Sequence, residues 1–443
     1  MNFFQFNIYL MIVCAAMSCS RIIATDDSPV SEDDPTLTGM DGLIVPDDFD
    51  YATTINTDLN VVALDNQDNG LSGIRIDLLQ PKSAEWELVA SAITDANGSL
   101  TFNVPIATAT EQLVLQTSYL GLPHSTIIWT DQLHEVQVLG GARNTSASPS
   151  SGITNGRTMS SLIPVGDYYL LDEHDGQGVP YNLMEVSDHV SQDLLDLINS
   201  SLPESRPVPQ YNAQYLADEI ETNTLLGDSA EVWVTFVHEG AGWTNTLGYY
   251  TYPLNSPPTN VDDIEEMYVI FPNVSFKYAG GNLTSGDKVY LGSFSKDTGI
   301  GWFLIPRGWN GSGVVNRSQV KYSDKTFNTF TSDEYRQHTV LLKDDNRELI
   351  LLGMEDTSRP GGDNDFNDAV FYVTASPYSA IITDGLESTK TDGNPDSDGD
   401  GVSDQNDEYP NDPDKAFNIY TPSENTFGSL PLKINGQVRV TMT

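Results

Sequence analysis

Short stretches in which apolar and polar residues alternate run through most of this chain, and a two-residue period is the mark of strands buried on one face. From Ile55 to Val138 the runs are LNVVALD, GIRIDLL, WELVASAIT, SLTFNVP, EQLVLQTSY and STIIWT, parted by Gly, Asn, Asp and Pro. They predict a small β-sandwich. From Ala230 to Thr374 the pattern returns in AEVWVTFVHEGAGW, TLGYYTYPL, MYVIFPNVSF, KVYLGSF, GIGWFLIP, HTVLLKD, ELILLGME and DAVFYVT, which predicts a second, larger sandwich of jelly-roll type. One segment breaks the period. In VSDHVSQDLLDLINSSL, Val186 to Leu202, the positions Val190, Leu194, Leu197 and Ile198 fall at helical spacing, and Pro203 stops the helix. The fold class is therefore mainly β, with one accessory helix.

The stretches between these elements complete the division. Residues 1–19 hold an apolar core of signal-peptide length ending in small residues, and residues 20–50 are an acidic tether poor in large apolar side chains. The small sandwich occupies 51–142, a Ser-, Thr- and Gly-rich linker 143–160, a helical or irregular connector 161–229 and the larger sandwich 230–380. An acidic repeat follows at 384–418, then a tail at 419–443.

Charge narrows the possible partners. With 63 acidic against 21 basic side chains the formal charge is -42, which disfavours nucleic acid and anionic membrane surfaces and favours cations. Both cysteines, Cys14 and Cys19, lie in the signal segment, so the body of the chain has no thiol for disulfides, zinc or nucleophilic attack.

Two acidic clusters carry the candidate chemistry. In DSDGDGVSDQND, Asp396, Asp398 and Asp400 alternate, Gly401 permits a sharp turn, and Asp404 and Asp407 return to close the loop. Calcium takes six to eight oxygen ligands, and this spacing fits a calcium loop. Flanking Pro395 and Pro410 exclude the helices of an EF-hand. In LLGMEDTSRPGGDNDFNDAVFYV, Glu355 and Asp356 end one strand, and Asp363, Asp365, Asn367 and Asp368 precede the next. Two strands meeting there gather Glu355 and the aspartates, Asp363, Asp365 and Asp368, at one sheet edge as a second calcium site. The competing reading is that the Asp and Asn side chains cap the turn by accepting backbone N–H bonds.

Catalytic signatures are weak. His238-Glu239 lacks the second histidine of a zinc-protease helix, Ser293 to Lys296 fits SxxK by chance within a strand, and His189 and His338 read as structural. Glu239 or Glu355 near Trp243, Trp302 and Trp309 would suit a sugar cleft, which is the alternative reading.

Several stretches resemble known families. Ala16-Met17-Ser18-Cys19 resembles the lipobox of bacterial lipoproteins, which implies cleavage before Cys19 and lipidation of its thiol, with ordinary secretion as the alternative. TDANGSLTFNVP resembles bacterial Ig-like modules of the carboxypeptidase-regulatory or Cna-B type, usually spacers. DSDGDGVSDQNDEYPNDPDKAF resembles a thrombospondin type 3 calcium repeat. GIGWFLIPRGWNG, TVLLKD, ELILLGMED and GGDNDFNDAVFYV are similar to a domain of unknown function of secreted bacterial proteins, and with HEGAGWTNTLGYYTY the chain from Leu202 onward resembles LruC domain-containing proteins. In that family a further domain follows the calcium repeat. Here the match ends after Leu430, and an alternative reading frame of PLKINGQVRVTMT can encode a segment like the missing one, so Pro431 to Thr443 is expected to be a frameshifted tail.

The sequence thus points to a calcium-stabilised lipoprotein of the cell envelope, periplasmic or surface-exposed, held to the outer membrane by its lipid anchor alone. Its expected role is non-catalytic: structural, adhesive or binding to a protein or glycan. The alternative is a carbohydrate-binding or carbohydrate-active protein.

Overall fold

The computed structural model describes residues 53–82, 85–142, 162–277, 279–390 and Tyr409, all within the compact unit Thr53–Thr443. The signal segment with Cys19, the acidic tether, the 143–160 linker, the Asp396–Asp407 loop and the 419–443 tail lie outside the described residues.

Alternation in the first half becomes two facing sheets. One contains β1 (Thr54–Leu64), and the other opens with β2 (Arg75–Lys82) and β3 (Glu85–Ile93); β4 (Ser99–Ala107), β5 (Gln112–Gln116), β6 (Ser125–Trp129) and β7 (Gln137–Gly140) follow. The orders are β4-β1-β7 and β3-β2-β5-β6. Leu59, Val61 and Ala63 on β1 and Leu100, Phe102, Val104 and Ile106 on β4 point into one core, as a period of two requires.

The larger sandwich begins earlier in the chain than its alternating runs suggest. Segment 161–229, expected to be a connector, supplies β8 (Ile163–Val165), β9 (Tyr168–Leu170) and, after two helices, β10 (Thr224–Leu226). These three-residue strands are too short to display a period, and Pro164 fits because β8 is an edge strand. The helices are α1 (Gln192–Ser201) and α2 (Val208–Tyr211). Then come β11 (Ala230–Glu239), β12 (Asn245–Pro253), β13 (Met267–Val274), β14 (Lys288–Phe294), β15 (Thr298–Ile305) and β16 (Lys321–Tyr322). The remaining strands are β17 (Thr339–Asp344), β18 (Leu349–Met354), β19 (Ala369–Ser376) and β20 (Glu387–Ser388), the last beyond the expected limit at 380.

These strands form two sheets, β10-β15-β12-β13-β9-β8 with β16 on β15, and β14-β11-β19-β18-β17-β20. Phe271, Trp302 and Leu304 from the first meet Val234, Phe236, Leu352 and Phe371 from the second. The protein is mainly β and of sandwich class.

Helix α1 starts at Gln192, later than the sequence pattern suggests. Val190 is buried, but its backbone N–H donates to Asn66 Oδ1 at 3.0 Å instead of entering the helix. The apolar face of α1, with Leu194, Leu195 and Ile198, shares one core with the small sandwich on one side and with Val340, Leu351 and Val370 of the larger one on the other. This explains why LILLGM on β18 is apolar without alternation: both faces of that strand are covered.

Polar contacts fix the docking. Asn199 on α1 accepts the Leu120 N–H at 2.8 Å and donates to Leu120 O at 3.2 Å and Leu195 O at 2.8 Å. Tyr119 OH donates to Asp196 at 2.7 Å, and the Gly121 N–H donates to His238 Nδ1 at 3.0 Å. Replacing Asn199 with Ala leaves a buried N–H and a buried carbonyl unpaired, so it should lower the urea unfolding midpoint by the equivalent of about 2 kcal/mol. An unchanged midpoint would mean that this amide does not hold the small sandwich to α1.

Candidate metal centre

Three neighbouring central strands, β11, β19 and β18, reach the same sheet edge. Glu239 ends β11 opposite Ala369, which starts β19, and Ala369 also pairs with Met354 at the end of β18. Met354 and Ala369 face the core between the two sheets, whereas Leu351 and Val370 face α1. Alternation then sends Glu355 toward the helix side and Asp356 inward. The one stretch of sequence therefore feeds two different environments.

The inward side is largely satisfied. Asp356 accepts Asn245 Nδ2 at 2.7 Å and Thr357 Oγ1 at 3.1 Å. Lys321 is buried beside it, with Nζ 2.6 Å from Ser358 Oγ and 4.1 Å from the centre of the Phe330 ring. Burial brings the Lys321 amine down to about 8 against the pull of Asp356 and Glu355. Asp368 Oδ2 accepts the Asp356 N–H at 2.7 Å, so Asp368 performs the turn-capping role that competed with the metal reading. Glu239 is buried with Oε2 unpartnered, and burial pushes its carboxyl far up.

The helix side is different. Glu355 is 0% exposed, and neither carboxylate oxygen has a hydrogen-bond partner. Its Oε1 lies 2.5 Å from where a Cβ on Gly362 would stand, so the carboxylate points up beneath the Gly361–Asp363 loop, and Gly362, at φ 75°, cannot carry a side chain. Glu204, Asp363 and Asp365 bring one oxygen each to within 4.8 Å of one another, a group that does not take in Glu355. Asp365 is buried and already accepts the Ser205 N–H at 2.8 Å and the Asn367 N–H at 3.4 Å. Arg359 attracts Glu355, but its guanidinium donates to Asn364 Oδ1 at 2.9 Å and Gln337 O at 2.8 Å.

Glu204 was not legible in the sequence as a site residue. It lies just past α1, in the loop that Pro203 opens, and only the packing of α1 on the larger sandwich brings it to the acidic loop. Three backbone bonds hold it there: Ser205 N–H to Asp365, Val208 N–H to Asn364 O at 2.8 Å, and Asn367 Nδ2 to Leu202 O at 3.1 Å. Backbone strain concentrates here as well. Ser205, Asn364 and Phe366 have φ of 57°, 62° and 64°, and an aromatic residue in the left-handed region is unusual enough to need strong surrounding constraint.

Electrostatics follow from this crowding. Burial, then Asp363, Asp365 and Asp356, push the Glu355 carboxyl far above its usual range. Burial and the charges of Glu204 and Asp363 raise Asp365 to about 8, and burial and Asp363 raise Glu204 to about 7. Burial also raises Asp356 and Asp368. A buried carboxyl group with no partner must keep its proton or gain a cation. The donor set consists of carboxylate oxygens, with no thiol and no imidazole in the acid triad, and it fits a hard divalent cation such as calcium.

The other sequence candidates fall into place as structure. Trp302 and Trp309 are buried core residues, Trp302 donating Nε1–H to Thr224 Oγ1 at 3.2 Å, so neither forms a sugar platform. Trp243 is covered by the Arg307 guanidinium, 4.1 Å from its ring centre, and Glu239 and Glu355 are both buried. His338 is buried, lowered by burial to about 3, and accepts the Arg359 N–H at 3.3 Å, while His189 Nε2 lies 2.9 Å from Asp65. Ser293 sits on strand β14.

Comparison with known proteins places two segments. Residues 294–376, which include β15 to β19 and the acidic loop, match a domain of unknown function (DUF4114), and residues 55–129 in the small sandwich match another, DUF8469. No curated protein matches the chain. Among solved structures, the chain is similar to a 9R-lipoxygenase from Cyanothece PCC8801 at 11% identity and a TM-score of 0.14, over 23% of this chain and 20% of that one. A likeness so slight carries no argument about fold or activity.

The raised carboxyls set a sign for pH. Asp365 gives up its proton near 3.8 when unfolded and only near 8 when folded, so the ion-free protein binds more protons when folded. Stability from this group is complete below about 4 and is lost as pH rises toward about 8. In chelator the melting temperature should fall across that window, and Glu355→Gln, which is neutral without having to take up a proton on folding, should melt higher than wild type at pH 8. An ion-free melting temperature that rises with pH would contradict this electrostatic account.

Proposed function

We propose that this chain is a non-catalytic, calcium-stabilised envelope lipoprotein that acts as a structural, adhesive or ligand-binding protein. The observation that carries the calcium reading is the group Glu204, Asp363 and Asp365, whose carboxylate oxygens lie within 4.8 Å of one another, with the unpartnered Glu355 carboxylate buried in the electrostatic reach of Asp363 and Asp365. An ion there neutralises the cluster and joins the loop after α1 to the acidic loop between β18 and β19. It would therefore pin the middle layer of the molecule. Asp396, Asp398, Asp400, Asp404 and Asp407, with their likeness to a thrombospondin type 3 repeat, give a second calcium-binding segment. The lipobox at Cys19 supports a lipid anchor in the outer membrane, and the formal charge of -42 argues against nucleic acid. Resemblance to LruC domain-containing proteins supports the envelope setting without adding an activity.

The test is thermal unfolding in calcium and in chelator, combined with amide hydrogen exchange at Ser205 and Val208. A ligand that binds only the folded state stabilises it by about 2.7 kcal/mol at a hundredfold excess over its dissociation constant. Calcium should raise the melting temperature and slow exchange at both amides, and Glu355→Gln should lose the part of the gain that Asp398→Ala/Asp400→Ala retains. If calcium leaves the melting temperature of wild type unchanged, the reading is wrong.

A further inference from the structure

A sheet edge exposes a row of unpaired backbone N–H and C=O groups, which pair with another extended chain unless charge, proline, a bulge or a short strand blocks it. In this protein the blocks can be followed edge by edge. In the small sandwich, β4 carries Pro105, β7 has four residues, and β3 is bulged at Val89 and bears Glu85 and Glu87. In the larger one, β8 and β10 have three residues each, β16 and β20 have two, and β14 is bulged at Leu291 and bridged by Leu183. The remaining edge strand is β6. Its sequence, STIIW, has no charge and no proline, and its register with β5 has no bulge.

That register also shows which groups are open. The Thr117 N–H donates to His124 O at 3.0 Å and the Thr130 N–H to Glu111 O at 3.1 Å, so the even-numbered residues of β6 bond to β5. Ser125, Ile127 and Trp129 therefore turn their N–H and C=O outward, and among the described residues nothing pairs with them. The same three residues are exposed, Ile127 by 56% and Trp129 by 47%, whereas Ile128 between them lies in the core. Ile127 also ends an apolar row that crosses the sheet through Val114 and Leu79 to Leu88.

An open edge accepts an extended strand, and β6 is complementary to itself. Antiparallel pairing about Ile127 sets Ile127 against its twin and Ser125 against the partner's Trp129, and each of these pairs can exchange both backbone bonds. Beyond the strand, His124 meets the partner's Thr130 and Asp131 meets the partner's Pro123, so no like charges stand opposite one another. The apolar row then runs on into the other copy, and Ile127 leaves water. A two-fold axis through Ile127 uses both edges and closes the assembly.

We propose that two copies of this protein associate by antiparallel pairing of β6 with β6 about Ile127, which joins the four-stranded sheets of their small sandwiches into one. This does not rest on the calcium reading. The formal charge of -42 opposes the approach of two copies, so salt, which screens it, strengthens the association.

Hydrogen exchange of the full chain at low and high protein concentration, with sedimentation equilibrium to count copies, tests the pairing without any variant. Expected are a dimer that strengthens with salt and, on its formation, slowed exchange at the Ser125, Ile127 and Trp129 amides with no change at Thr126 and Ile128, which already bond to β5. Ile127→Lys and Ile127→Glu, at an exposed side chain, then test the register. Each alone should be monomeric, because like charges meet at the axis, and an equal mixture of the two should dimerise. A wild type that stays monomeric at every concentration and salt, a dimer whose three amides exchange as fast as in the monomer, or a dimer that persists in both variants overturns the proposal. A mixture that remains monomeric overturns the pairing about Ile127.

Discussion

A charged carboxylate cannot remain in a protein interior without a partner, so Glu355, which is buried and has none, must keep its proton or gain a cation. Desolvation costs several kcal/mol for an ion after relaxation, far more than a surface loop can absorb. Glu355 is placed in that position by strand alternation alone: Met354 must face the inter-sheet core, so the next residue must face the helix. Its neighbours then determine whether the position is tolerable. Asp356, one residue on, has Asn245, Thr357 and a nearby lysine; Glu355 has three more acids.

That constraint reaches through the middle layer of the fold. Helix α1 packs against the small sandwich through Asn199 and Tyr119 and against the larger one through its apolar face, and the loop that leaves it carries Glu204 to the acidic cluster. The small sandwich, which its sequence likens to a spacer module, therefore shares a continuous core with its larger neighbour. Neutralising the cluster would be felt first at Leu202–Val208 and only then at the helix, because the apolar core does not depend on the charge of the cluster.

Much of this was legible in the sequence, and what was missed has physical causes. Half-buried strands such as β1 and β4 declare themselves by alternation. β8, β9 and β10 have three residues each, shorter than the period needed to recognise them, and they made a part of the sandwich look like a connector. The aspartates of the acidic loop were visible because they are adjacent in the chain. Their different roles were not: Asp368 caps a backbone N–H while Asp363 and Asp365 gather with Glu204, a distinction made by the turn through Asn364 and Phe366. Glu204 reaches the site only by tertiary packing, and Trp302, named in the alternative sugar-cleft reading, lies in the core because both faces of β15 are covered.

The most direct test of the central claim is anomalous diffraction from crystals grown in calcium. The account predicts an anomalous peak at calcium–oxygen distance, 2.3–2.6 Å, from Glu204, Asp363 and Asp365. An empty position between those three carboxylates would contradict it.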